Sequence, residues 1–484
     1  MPPAGGPSDE EREAIAAWVA CGAPGSATEA GLCDTPRAVD NDVHVTSPSD
    51  GESLCAQGDG LRITGDLKVS AASDAMPSCV CEVDGDLTVE GLSTPTVRWS
   101  SLHRVGGDLT LADNSGTRDV DFPALKHIEG SLHITRNASA ERMDLPNLQT
   151  IGGDVQVTDG GTGGGFTASR LATVTGGIVI ESNPQLLQID LVRLRTTGGD
   201  LRIIDNVALA DIGTLDTLTR IGGGFAFTGS ALRDFTGLRY VTELGGDLTL
   251  AGHEHLTDID LLHVLEAIDG TMTLEQMPRL VTLEGMHQLL RVEGDLNVIN
   301  LGVVDVSGLD SIRQIGGAMT VERMPGLERL TMSTEAVVGG LRIAENESLI
   351  GVTAWTHLER VGNLQILDNP ALRELRGLQG LFAVDGALAI VDNPQLPDVD
   401  GLIGLTEIAG SLTLHNDDAL ERLSGLQNVG FIGGDLVITD NAALSLTEID
   451  QLLEVIGTDN VAGTILLRSE GEEAPSTEEP DTGL

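Results

Sequence analysis

The chain has 484 residues, with 28 Lys and Arg against 74 Asp and Glu, and a formal net charge of −46. A surface this negative repels phosphate backbones and anionic lipid, so we expect neither a nucleic-acid partner nor direct insertion into a membrane. The chain has 7 Phe, 3 Trp and 1 Tyr, too few for platforms that stack bases or sugars. Because 40% of the residues are hydrophobic, the composition excludes a disordered acidic protein and predicts an aliphatic core.

Residues 1–26 predict an amphipathic helix capped by Ser8, with Glu11 completing a capping box and Gly22 ending it. Together with Met1-Pro2-Pro3, this segment resembles the end of bacterial c-type cytochrome domains. The resemblance implies that Met1 is an axial haem ligand. The sequence contains no Cys-x-x-Cys-His motif, so we expect no haem unless that motif lies upstream of Met1. The alternative for residues 1–26 is an unrelated amphipathic helix.

All five cysteines lie in the first fifth of the chain: Cys21, Cys33, Cys55, Cys79 and Cys81. Their clustering predicts a disulfide-stapled region and an oxidising compartment, with one cysteine unpaired or partnered elsewhere. Residues 27–60 are polar and predict an N-terminal cap, in which Cys33 and Cys55 form a candidate bridge. We therefore expect an extracellular or cell-envelope location. The absence of a secretory signal then predicts that the true start lies further upstream.

A Gly-Asp-Leu motif recurs from Gly65 onward and marks one structural unit per repeat. The first inward residues of successive units are predicted at positions 67, 87, 109, 132, 155, 178, 201, 225, 248, 272, 296, 319, 341, 364, 388, 412, 436 and 465. From Leu87 to Leu436 every step is 22 to 24 residues. So strict a period predicts a solenoid, in which each unit stacks on its neighbours.

At the start of each unit apolar residues alternate with mostly polar ones, as in Leu201-Arg202-Ile203, and this pattern predicts a short strand. A turn follows, and then an apolar residue at every third position, which predicts short extended pieces and tight corners. Glycine closes the unit, and we expect it to supply the backbone freedom that a sharp corner needs. The sequence thus predicts a mainly β, right-handed parallel β-solenoid of about 18 coils over residues 61–468. Leu446 to Ile456 predict a C-terminal capping helix, and residues 469–484 a disordered acidic tail.

The repeat resembles the receptor L-domain, a relative of leucine-rich repeats. The resemblance is carried by Ile221-Gly222-Gly223, by Gly246-Asp247-Leu248 and by the Leu-x-x-Leu-x-x-Leu-x-x-Ile spacing, and it covers roughly residues 60–468. It implies an extracellular solenoid of parallel sheets that serves binding or adhesion. The chain has more units than one receptor L domain and lacks the cysteine-rich modules that flank receptor copies, so receptor signalling is not implied.

The polar residues at the corners are the candidate site residues. Asparagines recur five residues after the strand start, at Asn114, Asn137, Asn183, Asn206, Asn346, Asn369, Asn393 and Asn441. We expect these amides to bond turn backbones of adjacent coils, a structural role. Asp66, Asp86 and Asp108 at the strand start are candidate Ca²⁺ ligands, with solvated turn residues as the alternative. His253 and His255 are weaker candidates for a metal, because no third ligand is identifiable.

These observations predict a non-enzymatic binding or adhesion scaffold without a cofactor, apart from the Ca²⁺ candidate. The expected partner is a protein or glycan at the cell surface, and the expected state is a monomer. One alternative is a truncated periplasmic redox protein of the cytochrome type, whose solenoid docks partners. A second alternative is a β-helix enzyme that acts on polysaccharide, which would need paired carboxylates across a cleft.

Overall fold

A computed structural model describes residues 33–70, 76–161, 163–212, 215–233, 235, 238–353, 355 and 357–468. The helix predicted within residues 1–26 and the tail predicted at 469–484 lie outside the described residues. The chain divides into two compact units, Met1–Leu171 and Ala172–Leu484. Each unit is built of parallel β-solenoid coils, about 17 turns in all, so the predicted fold class is confirmed.

The longest row of strands, here called the main strands, contains all the predicted strand starts. In the N-terminal unit the main strands are Val43–Val45, Leu67–Ser70, Leu87–Glu90, Leu109–Ala112, Leu132–Thr135 and Val155–Thr158. In the C-terminal unit they are Ile178–Glu181, Leu201–Ile204, Phe225–Thr228, Leu248–Ala251, Met272–Met277, Leu296–Leu301, Ala318–Glu322, Ala336–Ala344, Arg360–Leu367, Leu388–Val391, Leu412–His415, Leu436–Thr439 and Ile465–Arg468. Within each unit neighbouring main strands are parallel and in register, as Leu109 opposite Leu132 illustrates. Val43–Val45 precedes the first predicted coil and pairs with Leu67–Ser70.

A second row of short strands leads into the corner before each main strand, and we call these the lead strands. In the N-terminal unit they are Arg37–Val39, Leu61–Ile63, Val80–Val83, Arg104–Val105, His127–Ile128 and Thr150–Ile151. In the C-terminal unit they are Thr173–Val174, Thr196–Thr197, Arg220–Ile221, Glu243–Leu244, Ala267–Ile268, Arg291–Val292, Gln314–Ile315, Ala383–Val384, Glu407–Ile408 and Phe431–Ile432. In two coils the lead and main strands are continuous, as Ala336–Ala344 and Arg360–Leu367.

In most coils of the described part of the chain, the remaining side is a short strand or a single turn of 3₁₀ helix. The strands are Thr96–Arg98, Asp119–Asp121, Arg142–Asp144 and Gly165–Thr167 in the N-terminal unit, and Ile189–Asp190, Arg329–Thr331 and Gly351–Thr353 in the C-terminal unit. The 3₁₀ helices are Asp260–Leu262, Glu284–Met286, Ser307–Leu309, Arg376–Leu378, Asp400–Leu402, Ser424–Leu426 and Thr458–Asn460. In a 3₁₀ helix residues i and i+3 lie on one face. The 3₁₀ helices therefore explain part of the three-residue spacing of apolar residues.

Two α-helices lie among the described residues. The first, α1 (Pro48–Cys55), begins after Ser47, whose hydroxyl accepts a hydrogen bond from Asp50 N, and it was not expected within the cap segment. The second, α2 (Leu446–Ile456), has the predicted bounds. Ile449, Leu452 and Ile456 of α2 are buried against the last coils, whereas the predicted stripe residue Leu446 is 63% exposed.

The core of each unit is filled by the inward residues of every side of the coil. In the third-position series, Leu256, Ile259, Leu262, Leu265 and Ile268 are all at most 2% exposed. In the main strands buried and half-buried residues alternate, as in Leu248–Ala251. Because each coil buries several aliphatic side chains at about 1.5–3 kcal/mol each, the stack is stabilised without a large aromatic core.

The glycine before the strand-start position, which holds Asp108 after Gly107 and Ala318 after Gly317, is required by close stacking and not by the corner freedom predicted for it. Gly107 and Gly317 do not have positive φ. A Cβ atom on Gly317 would lie 2.1 Å from Asp295 Oδ1 and 2.8 Å from Gly294 C, both one coil earlier. On Gly107 it would lie 2.1 Å from Asp86 Oδ1. These glycines therefore leave room for the carboxylate of the preceding coil.

We predict that Gly317→Ala lowers the free energy of unfolding by about 1–3 kcal/mol, because the added methyl group overpacks a backbone contact. Gly430→Ala is the matched control, since its Cβ would have only Thr406 O nearby, at 3.9 Å. We expect the control to stay within about 0.5 kcal/mol of the parent chain. Urea unfolding followed by circular dichroism measures both variants, and equal midpoints for the two would contradict the close-stacking role.

Candidate functional site

The corner asparagines form a buried ladder of side chains that bond the backbone of the preceding coil. Asn137 Oδ1 accepts a hydrogen bond from Asn114 N (3.2 Å), and Asn137 Nδ2 donates to Leu111 O (2.9 Å). In the C-terminal unit Asn346 Oδ1 accepts from Met324 N (3.0 Å) and Asn346 Nδ2 donates to Val321 O (3.1 Å). The predicted asparagines share this burial, being at most 5% exposed: Asn114, Asn137, Asn183, Asn206, Asn346, Asn369, Asn393 and Asn441. Each amide thus pairs backbone groups that water does not reach.

His253 occupies a ladder position and is hydrogen bonded through both ring nitrogens. Nε2 lies 2.9 Å from Phe227 O, to which it donates, and Nδ1 lies 3.0 Å from Ser230 Oγ. Burial lowers the pKa of His253 to about 4, so the ring is neutral at pH 7. Because both nitrogens are used within the ladder, the structure does not bring His253 and His255 together as a metal site.

The strand-start aspartates form a second ladder at the opposite end of the main strand. Asp66 Oδ1 accepts from Asp86 N (2.8 Å), Asp86 Oδ1 from Asp108 N (2.8 Å), and Asp108 Oδ1 from Ser131 N (2.6 Å). Each of these candidate Ca²⁺ ligands therefore has one oxygen engaged by backbone. Within the described part of the chain, these carboxylates are not grouped closely enough for three of them to hold one ion. The geometry favours their alternative interpretation as turn residues.

Four of the cysteines are joined in two disulfides, and the pairing corrects the expected bridge. Cys33 is bonded to Cys81 and Cys55 to Cys79, so Cys33 and Cys55 are not bonded to each other. One bridge ties Cys33, which precedes the lead strand Arg37–Val39, to Cys81 in the lead strand Val80–Val83. The other ties Cys55 at the end of α1 to Cys79, the residue before that strand. Cys21 and the predicted haem ligand Met1 lie outside the described residues.

An open groove of about 930 Å³ runs along the C-terminal unit above the buried ladder. One wall consists of the residues that immediately precede successive ladder positions, and the other consists of residues that immediately follow them. The preceding residues are Asn300, Arg323, Glu345, Asp368, Asp392 and Asn416, and the following residues are Pro325, Glu347, Pro370 and Pro394. All six preceding residues have φ between 53° and 59°, the left-handed conformation. Because this turn recurs in each of these six coils, it places one side chain per coil on the same wall.

The groove is acidic, with four carboxylates and one guanidinium among its lining residues. Arg323 is paired with Glu322 (2.6 Å) and approaches Glu345 (3.8 Å). Asp392 accepts a hydrogen bond from Asn416. Among the described residues, the carboxylates of Glu347 and Asp368 have no ion-pair partner. The groove therefore presents excess negative charge to solvent, beside three proline rings.

No known protein family matches this chain, and no curated protein matches it. Within the described residues, no helix has the length and apolarity needed to cross a membrane.

The sequence did not point to the groove, although it carried a signal. The Asn-Pro dipeptides at residues 369–370 and 393–394 are typical of turns, and both prolines line the groove. The missing information was the left-handed conformation of the residue before each asparagine, at Asp368 and Asp392. Without it, the acidic residues of successive coils could not be assigned to one wall.

Asp417 replaces asparagine in the ladder and is its one buried carboxylate among the described residues. Oδ1 accepts from Asn393 N (2.8 Å) and Asn393 Nδ2 (3.1 Å), as an amide oxygen would. Oδ2 is buried and has no hydrogen-bond partner among the described residues. In the flanking coils the atom in the place of Oδ2 is an asparagine Nδ2. It donates a hydrogen bond to the carbonyl oxygen of the third residue of the main strand one coil earlier, as Asn441 Nδ2 does to Leu414 O (3.0 Å). A protonated Asp417 can supply the missing donor.

Burial raises the pKa of Asp417 to about 7, and the charge of Asp392 adds to this, whereas the bonds from Asn393 and the charge of His415 oppose it. The unfolded chain releases this proton near its usual pKa of 3.8. Between these two values the folded state holds one more proton. The contribution of Asp417 to the free energy of unfolding is therefore greatest at low pH. It falls by up to about 1.4 kcal/mol per pH unit as the pH rises towards 7.

We predict that Asp417→Asn raises the free energy of unfolding at pH 8 by a few kcal/mol, because the amide supplies the missing donor and removes a buried charge. The advantage of the variant should shrink as the pH falls from 7 to 5, where the parent carboxyl is protonated. Urea unfolding of both chains at pH 5, 6, 7 and 8 measures the difference. A difference that is independent of pH would show that Asp417 does not titrate in this range.

Proposed function

We propose that this chain is a non-catalytic binding scaffold of the cell surface or envelope. In this proposal the acidic groove of the C-terminal unit binds an extended basic segment of a partner protein. The single observation that carries the proposal is the concave row of outward side chains above the ladder, one per coil, with four carboxylates in a groove of about 930 Å³. A volume of this size is typical of ligand sites.

The dimensions of the groove suit an extended chain. Its wall residues run from Asn300 to Asn416, through six successive coils. At about 4.8 Å per coil, the row is roughly 24 Å long. An extended peptide advances about 3.3 Å per residue, so about seven residues would fill the row.

The charge and composition of the groove favour a basic peptide over a glycan. Lys and Arg side chains can pair with Glu345, Asp368 and Asp392, and the ring faces of Pro370 and Pro394 offer apolar contact to the aliphatic stems. No aromatic side chain is among the lining residues, and aromatic faces are common partners of sugars. Electrostatic complementarity of this kind chiefly sets specificity and the association rate.

An extracellular or envelope location is part of the proposal. Two disulfides in a chain of this kind are typical of an oxidising compartment. The resemblance of the repeat to receptor L-domains supports the same location and a role in binding or adhesion. The solenoid itself supports this only in general terms, since one fold serves many functions.

We predict saturable binding of peptides of about seven residues that alternate Lys or Arg with small residues, and no binding of Glu-containing peptides of the same length. The variant Glu345→Gln/Asp368→Asn/Asp392→Asn should bind at least about tenfold more weakly, because three ion pairs of about 0.5 kcal/mol each are lost. Fluorescence anisotropy at low and physiological salt measures the affinity, which should fall as salt rises.

The matched control is Glu243→Gln/Glu266→Gln/Glu407→Gln, which removes the same number of charges from exposed residues outside the groove. If both triple variants weaken binding equally, the peptide is bound by overall charge and the groove is not the site. If no basic peptide saturates the chain, the proposed partner is wrong. Release of reducing ends from a panel of acidic and neutral glycans would favour an enzyme instead.

A further inference from the structure

A cluster of three metal-ligating side chains lies in the N-terminal unit. The Sγ atoms of Cys33 and Cys81 and one ring nitrogen of His103 all lie within 4.8 Å of one another. It is the one group of three such side chains found among the described residues. Cys81 is fully buried, and Cys33 and His103 are half-buried.

A β-bulge directs Cys81 into this cluster. Leu61 is opposite Val80, but Arg62 is opposite Glu82, so Cys81 is an additional residue in its strand. The bulge places both Val80 and Cys81 inside, with 0% exposure. Bulges commonly change the direction of a functional side chain in this way.

Side chains of the following coil fix the bulge. Val80 O accepts hydrogen bonds from Trp99 Nε1 (3.2 Å) and from Ser101 Oγ (2.9 Å). His103 N donates to Cys81 O (2.8 Å), which holds the histidine beside the bulged residue. Hydrogen bonds from neighbouring residues to the ligand-bearing segment orient metal ligands in proteins in this way.

The disulfide explains why the two sulfur atoms lie close together, but it does not explain why His103 lies beside them. His103 Nδ1 is buried and has no hydrogen-bond partner among the described residues. A buried polar atom without a partner costs about 1–3 kcal/mol, so its presence beside two cysteines needs a reason. Two thiolates and one imidazole form a typical ligand set for Zn²⁺, with the fourth position open to water.

We propose that reduction of the Cys33–Cys81 disulfide creates a Zn²⁺ site formed by Cys33, Cys81 and His103. A phosphine reductant supplies two electrons and becomes a phosphine oxide, while one water molecule provides its oxygen and the two thiol protons. Zn²⁺ then displaces both thiol protons, and neutral His103 provides a lone pair. The metal would hold the segment at Cys33 to the lead strand Val80–Val83 when the disulfide is absent. This inference is independent of the proposed binding groove.

The test uses the full-length variant Cys21→Ser/Cys55→Ser/Cys79→Ser, which keeps only the proposed pair of cysteines. After phosphine reduction and desalting, we expect one Zn²⁺ per chain in a competition with a chromogenic chelator, and none before reduction. Co²⁺ should give thiolate charge-transfer absorption and the visible bands of a tetrahedral site. Adding His103→Ala should weaken Zn²⁺ binding by about tenfold or more and change the Co²⁺ spectrum.

Adding Cys33→Ser/Cys81→Ser to the same background measures adventitious binding. Equal Zn²⁺ affinity with and without these two changes would overturn the proposal, as would a Co²⁺ spectrum that His103→Ala leaves unchanged. If the triple serine variant does not fold by circular dichroism, reduced wild-type chain and its His103→Ala and Cys55→Ser variants replace it. The proposal then requires loss of affinity with His103→Ala and retention with Cys55→Ser.

Discussion

The hydrogen bonds between corner side chains and the backbone of the adjacent coil are the interaction on which the rest of this structure depends. Parallel strands satisfy their own backbone groups along the straight sides of each coil, but the chain cannot pair in the same way where it turns. At one corner Asp86 Oδ1 accepts a hydrogen bond from Asp108 N. At the other corner the Asn137 side chain accepts a hydrogen bond from Asn114 N and donates one to Leu111 O. Each bond joins a corner side chain to the backbone of an adjacent coil, so a suitable side chain recurs at the same corner in most coils. The strict repeat length follows from this requirement.

The same ladders determine what is left on the surface. Since the asparagine turns inward, the residues directly before and after it are turned outward in the coils that form the groove. The left-handed conformation at Glu345, Asp368 and Asp392 costs free energy at residues other than glycine, of the order of 1 kcal/mol each, and the stacked coils on both sides maintain it. The wall of the acidic groove is therefore a geometric consequence of the buried ladder. The charge of the wall, in contrast, is not required by the ladder, because other side chains would fit the same positions. The charge is therefore the more informative feature for function.

The period and the strand starts were predictable because one pattern is repeated many times. Repeats that depart from the Gly-Asp-Leu motif, such as those with Ala318 or Gly224 in place of aspartate, therefore did not shift the predicted register. The ends are not repeated, and there the sequence was less informative. Cysteine spacing leaves several pairings open, and the bond from Cys33 to Cys81 depends on a bulge that adds one residue opposite Leu61 and Arg62. The 3₁₀ helices and α1 were missed for a related reason, because short helical turns are not distinguished from irregular corners by apolar spacing alone. The groove was missed because its residues are ordinary turn residues when they are considered one coil at a time.

The exceptions in the asparagine ladder show that the constraint is the hydrogen bond and not the residue type. His253 donates to Phe227 O with a ring nitrogen where asparagine would use Nδ2. Met324 has a sulfur atom 3.5 Å from Leu301 N, in the place of an amide oxygen. At Met277 and Leu301, where the side chain offers no oxygen or nitrogen, the main strands extend to six residues and the two residues pair directly. Asp417 supplies the acceptor but lacks the donor. In these coils either the side chain at the ladder position or a longer strand completes the backbone pairing, and Asp417 is the position where the pairing depends on a proton.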